Sequence, residues 1–166
     1  GKDCSEFAPM RIAIVTPAPA GSRKGNRVTA LRWARILRGL GHRIAVMETW
    51  DGRPFDLMVA LHARRSAASI KRFHRQHPDA PLIVALTGTD LYGDIKSNNA
   101  ARNSLEFASR LILLQPLGIK ELPRHMRRKA RVIYQSVERP PKKLPPQKRF
   151  FEVCVMGHIR SVKDPF

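Results

Sequence analysis

Cysteine is almost absent from this chain. Two occur among 166 residues, Cys4 and Cys154. Residues 1–9 differ in character from the rest of the chain, and Met10-Arg11-Ile12 reads as a native start, so 1–9 are set aside as an added remnant. One thiol then remains, inside an apolar run. That excludes an internal disulfide and a cysteine-based metal site, and it points to a reducing, cytoplasmic setting. Acidic residues are scarce too: 13 Asp and Glu against 31 Lys and Arg leave a formal charge of +18. A field of that sign draws anions such as nucleic acid, acidic lipid headgroups or small phosphorylated ligands. Aromatic side chains make up 7% of the chain and do not interleave with the basic runs, which argues against base stacking and so against nucleic acid. No apolar run reaches the roughly 18–20 residues that cross a bilayer. Neither G-x-G-x-x-G nor the Gly-Lys-Ser/Thr end of a P-loop occurs. A nicotinamide enzyme is thereby disfavoured, although Glu48 would suit a ribose-binding acid.

What is present is enough apolar residue, 43%, for a core in about one domain. Short β-branched runs at 11–16, 43–48, 55–61, 81–86, 110–114 and 131–134 predict six strands. Helical patterns lie between them at 27–40, 66–77, 97–108 and 117–129, with Pro123 as the point of interruption in the last. In 27–40, Val28, Leu31, Ala34 and Leu37 recur at three-residue spacing as the expected buried face, Asn26 is the expected N-cap, and Gly41 the C-terminal stop. Near-continuous apolar strands alternating with helices predict an α/β fold: a Rossmann-like parallel sheet with helices on both faces. Residues 10–138 form that domain. Residues 139–149, rich in Pro and Lys, read as a linker. Residues 150–166 then read as the first strand and loop of a second α/β domain. The chain is thus expected to be the front half of a longer protein with a cleft between two halves.

In open parallel sheets, ligands bind beyond the carboxyl ends of the strands. The loop after the first strand carries Gly21, Arg23, Lys24, Gly25, Asn26 and Arg27, where glycines allow close backbone approach and the next helix offers its N-terminus to an anion. The loop after the fourth strand is Thr87-Gly88-Thr89-Asp90, whose polar groups are expected near the crevice or in a capping turn. His62, at the end of the third strand, suits a base, a hydroxyl-positioning group or a satisfied structural histidine. His42, His74, His77 and His125 fall on helices or turns and are expected at the surface. Gly157, followed by His158, Arg160 and Lys163, forms a basic strand-to-helix loop able to hold a diphosphate. Two basic runs, Arg64 to Arg75 and Arg124 to Arg131, read either as solvated faces or as a docking surface for acidic membrane.

Four segments together resemble a known family. They are 16–27, Leu86-Thr87-Gly88-Thr89-Asp90-Leu91-Tyr92, Val132-Ile133-Tyr134-Gln135-Ser136-Val137 ahead of the Pro-rich linker, and the stretch from Val155-Met156-Gly157 to Lys163. The chain is similar to the N-terminal half of the GT-B-fold retaining glycosyltransferases of family four. Within them it resembles a bacterial subgroup that forms selenosugars from a UDP-sugar and selenophosphate. The resemblance spans 10–166. It implies an acceptor-side domain at 10–138, the start of a donor-binding domain at 150–166, and a metal-independent reaction with no cofactor beyond the UDP-sugar substrate. Family members usually show Gly-Arg-Leu and then Glu-Lys-Gly at the last motif. Here Lys163 matches the Lys, His158 stands at the Arg position and Arg160 lies two residues on, so either His158 or Arg160 would join Lys163 on the donor diphosphate. The resemblance also puts Gly25 on the donor side, and Gly21, Asn26, Arg27, His62, Thr87, Gly88, Thr89 and Asp90 along the acceptor cleft. The Glu-x7-Glu pair typical of the family would lie in a second half, and no catalytic residue is assigned here. The competing reading is a non-catalytic basic α/β module that docks on acidic membrane or nucleic acid.

Overall fold

The computed structural model describes residues 8–137. The expected linker at 139–149 and second-domain start at 150–166, with His158, Arg160 and Lys163, lie outside the described residues. Six parallel strands form one sheet: β1 (Arg11–Val15), β2 (Arg43–Met47), β3 (Leu57–Leu61), β4 (Leu82–Leu86), β5 (Arg110–Leu113) and β6 (Ala130–Val132), in the order β2-β1-β3-β4-β5-β6. Four helices join them: α1 (Gly25–Gly39), α2 (Ala67–Gln76), the single turn α3 (Ile95–Ser97) and α4 (Asn99–Phe107). The expected Rossmann-like α/β architecture is present. No described helix is long and apolar enough to cross a membrane.

Strand alternation divides the core in two. Ile12 and Ile14 of β1 pack with Ala30 and Ala34 of α1 on one face. Val15, Met58, Val84 and Leu86 pack with Ile70 and Phe73 of α2 and Ala101 and Leu105 of α4 on the other. The buried side of α1 is Thr29, Ala30 and Ala34, backed by Trp33 and Leu37. This corrects the three-residue reading, because Val28 and Leu31 are 54% and 47% exposed. Small residues let α1 lie close to the sheet, so volume rather than hydropathy selects the inward face.

Two further expectations give way. The predicted helix over 117–129 is two 3-10 turns, Pro116–Glu121 and Arg124–Lys129. Pro123 supplies no amide for a continuing helix. Gly118 also sits so close to Leu91 that a Cβ there would lie 2.9 Å from it. Asn26 does not cap α1: the cap position is Lys24, with no side-chain bond. Finally, α4 takes its cap from Asn98, whose Oδ1 accepts the Ala101 amide at 3.0 Å.

The β2–β3 crossover contains no helix. Residues 48–56 cross the α2 face of the sheet as a loop, and Trp50, fully buried, fills the space a helix would take. Its ring meets Phe73 edge-on at 5.3 Å and His77 at 5.6 Å. Its amide donates to Ser69 Oγ, its indole N–H to the Arg53 carbonyl, and the Arg72 guanidinium covers the ring and donates to the Trp50 carbonyl. His77 is therefore part of the packing, with Nε2 buried and unpartnered, rather than a surface residue.

Candidate functional site

The sheet order reverses between β1 and β3. Chain leaving β1 runs toward β2, and chain leaving β3 runs toward β4, so their exits diverge and open a crevice at the carboxyl ends. The loop leaving β1 is pinned from beneath: Glu48 Oε1 accepts the Ala20 amide at 2.9 Å. Glu48 is thus engaged with the loop. Gly21 turns with φ +78°, Ser22 donates its amide to the Pro19 carbonyl, and its Oγ accepts the Lys24 amide. Arg23 and Lys24 are exposed on this loop.

The N-terminus of α1 at the end of this loop is open. Its first turn has no acidic residue and no side-chain cap. The amides of Arg27 and Val28 both return to the Lys24 carbonyl, and among the described residues none accepts from Gly25 or Asn26. Arg27 rises from the same turn with a buried, unpartnered Nε. Thr16 continues the Ile12–Ile14 register on the α1 face of β1, is fully buried, and its hydroxyl also lacks a partner. Two open amides and an unpaired guanidinium nitrogen at the positive end of a fifteen-residue helix suit an anion. Neither φ nor packing requires Gly25: a Cβ there would meet nothing within 4 Å.

Across the crevice, Asp90 ties the loops after β3 and β4 together. It is fully buried, and its carboxylate accepts four amides: Ala63 at 2.9 Å on Oδ2, and Thr87, Gly88 and Leu91 at 2.9–3.0 Å on Oδ1. The expectation that Asp90 faces the crevice is corrected on this point, because every donor around it is the protein's own backbone. Gly88 carries φ +130°, a conformation that side chains strain to adopt. Asp90–Asp94 forms a π-helical turn, wider than the capping turn expected.

His62 leaves β3 with φ +73° and is 3% exposed. Its Nδ1 accepts the Arg65 amide at 3.3 Å, and its Nε2 lies 3.2 Å from Thr89 Oγ1. Asp90 is 4.0 Å from Nδ1 and Asp94 3.9 Å from Nε2, with Arg64 Nε bound to Asp94 at 3.1 Å. Burial depresses the imidazole pKa. Asp90 opposes that effect, Arg65 adds to it, Asp94 opposes it and Arg64 adds to it. His62 is therefore neutral near pH 7, with its proton on Nε2.

Of the residues singled out from sequence, Gly21, Gly25, Asn26 and Arg27 line the β1 side of the crevice, and His62, Thr87, Gly88 and Thr89 the β3–β4 side. Thr16 and Arg65 were missed, the first because a strand threonine has no distinguishing spacing, the second because it stood in a run of charge. The basic run 124–131 is largely taken up internally. Arg127 donates to the Lys120 and Leu122 carbonyls, Lys129 to those of Leu105 and Glu106, and Arg131 to those of Arg128 and Ala130. Among the described residues no group of three or more His, Cys, Asp or Glu gathers as a metal site. No protein-family model matches the chain, and no curated protein matches it at a significant level.

Proposed function

We propose that this domain is the acceptor-side half of a retaining, metal-independent glycosyltransferase that moves a sugar from a UDP-sugar to a small anionic acceptor, with selenophosphate as the first candidate. The observation that carries the reading is the open α1 N-terminus at the β1/β3 switch point, with Arg27 Nε of the same turn unpaired. Cleavage of a glycosyl–phosphate bond separates charge, and fixed donors aimed at the developing negative oxygen lower that barrier. The amides of Gly25 and Asn26 would be such donors, and Arg27 beside them would meet the charge of the acceptor. Lys163, with Arg160 or His158, would hold the diphosphate from the second half. A second observation supports a cleft closed by another body. Val28, Tyr92, Leu117, Ile133 and Tyr134 are exposed and follow closely on strand exits or the start of α1, while exposed Leu31, Ile36 and Leu40 lie farther along α1. A contiguous exposed apolar patch marks a surface that something covers, and the first group would supply part of one at the strand exits.

The test is transfer by the full gene product, with UDP-glucose or UDP-N-acetylglucosamine and selenophosphate, read as UDP release and as sugar-product mass. Arg27→Ala should raise the apparent acceptor KM about ten-fold, the loss of one charged hydrogen bond. No UDP release from either donor would overturn the reading. The non-catalytic module loses ground because Arg127, Lys129 and Arg131, three of the five cations in 124–131, are bound to the protein's own carbonyls.

A further inference from the structure

The histidine of the crevice is not built as a base. Its Nδ1 lone pair is taken by the Arg65 amide, so the neutral ring carries its proton on Nε2 and donates to Thr89 Oγ1. A hydroxyl oxygen that accepts from His62 has its own hydrogen free, and no described residue accepts it. Thr89 is exposed, so that hydrogen is offered to the crevice. Arg65, also exposed, acts electrostatically on the imidazole and has no side-chain partner among the described residues. Of the nearby carboxylates, Asp90 is held by four amides, while Asp94 Oδ2 forms an ion pair with Arg64 Nε at 3.1 Å, stands 3.9 Å from His62 Nε2 and takes no hydrogen bond from it.

We propose that the Thr89 hydroxyl and the Arg65 guanidinium form an oxyanion-binding subsite at the carboxyl ends of β3 and β4, and that His62 is its positioning residue, fixing Thr89 as a donor. The ligand is a tetrahedral oxyanion of the phosphate class. The backbone at His62 is held in the left-handed region, which a non-glycine residue adopts only under strain. The Arg65 amide on Nδ1 and the contact with Thr89 Oγ1 hold the ring in place against that strain. The subsite faces the α1 N-terminus across the switch point, which gives the crevice two anion positions. The assignment rests on the transfer reading only for the role of its anion, as the acceptor.

The test uses the full chain and inorganic phosphate, followed by site-resolved amide and side-chain NMR shifts at Thr89 and Arg65. Thr89→Val, which keeps shape and removes the hydroxyl, should weaken phosphate binding at these positions about ten-fold, and Thr89→Ser should restore it. His62→Gln, which retains a donor at the end of the side chain, should bind better than His62→Leu. Long-range proton–nitrogen spectra of the imidazole at neutral pH and above should show Nε2 protonated and Nδ1 bare. Phosphate binding unaffected by Thr89→Val, or a proton found on Nδ1, would overturn the subsite. UDP-glucose binding is measured separately. Phosphate binding as expected without turnover of any UDP-sugar keeps the subsite and removes the transferase. Turnover that ignores Thr89→Val does the reverse.

Discussion

Replacing Asp90 by alanine should cost more than any other single substitution at the crevice. The carboxylate is fully buried and accepts four backbone amides, one from the loop after β3 and three from the loop after β4. Hydrogen bonds to a charged acceptor contribute about 1.5–3 kcal/mol each, and a buried amide left unpaired costs about 1–3 kcal/mol. Even at about 1 kcal/mol per amide, Asp90→Ala removes about 4 kcal/mol. A domain of this size has about 5–15 kcal/mol in total, so the variant should sit near the edge of folding. Asp90→Asn separates the contributions. Its remaining oxygen can serve Thr87, Gly88 and Leu91, while its amide group would face the Ala63 N–H donor to donor. A loss of about 2 kcal/mol is expected, on the scale of one unpaired buried donor. The assay is urea denaturation of the full chain with amide exchange at Ala63, Thr87, Gly88 and Leu91. If Asp90→Ala stays within about 1 kcal/mol of wild type at an unchanged m-value, and these four amides keep their protection, the clamp does not exist as described.

Trp50→Ala should lose about 3–5 kcal/mol, the range for large buried aromatics, with protection lost along α2 because Phe73 and His77 line the cavity. Gly88→Ala should destabilise by about 1 kcal/mol or more although a Cβ there meets nothing within 4 Å, since φ +130° alone strains it; thermal unfolding reads this. For His62 the folded pKa lies below the ordinary 6.5, so the unfolded chain binds the proton more readily. Stability is full above about pH 6.5 and falls as pH drops from there toward the folded pKa. In denaturation midpoints taken from about pH 7.5 to 5, His62→Asn should show a shallower acid loss, and it should be the more stable at neutral pH because Asn accepts the left-handed backbone more easily.

The layout of the fold was open to reading because each strand is a short, nearly continuous apolar run, and a parallel sheet leaves few other uses for such runs. Placing Gly21 to Arg27, His62 and the 87–90 loop at strand exits came from the same pattern. Three things were hidden. The inward face of α1 is set by Ala30 and Ala34, small enough for close approach, and a hydropathy period ranks Val28 and Leu31 above them. The role of Asp90 depends on four amides brought together from two loops, which no local spacing encodes. The split of 117–129 turns on Gly118 lying against Leu91, a contact across 27 residues of sequence.

The helix-free crossover has a consequence during synthesis. β1, β2 and β3 are complete once Leu61 has left the ribosome, yet Trp50, which seals their second face, has only the Arg53 carbonyl on its indole N–H until Ser69, Arg72, Phe73 and His77 emerge. A helical crossover would bring its own apolar stripe and close the three-stranded unit early. Here the nascent chain carries an unsealed tryptophan for about another sixteen residues beyond the last of those strands, a second or more at ordinary elongation rates. The first half of the sheet is therefore a client of the helix that comes after it, and a translational pause just downstream of β3 would hold the chain in its most adhesive state.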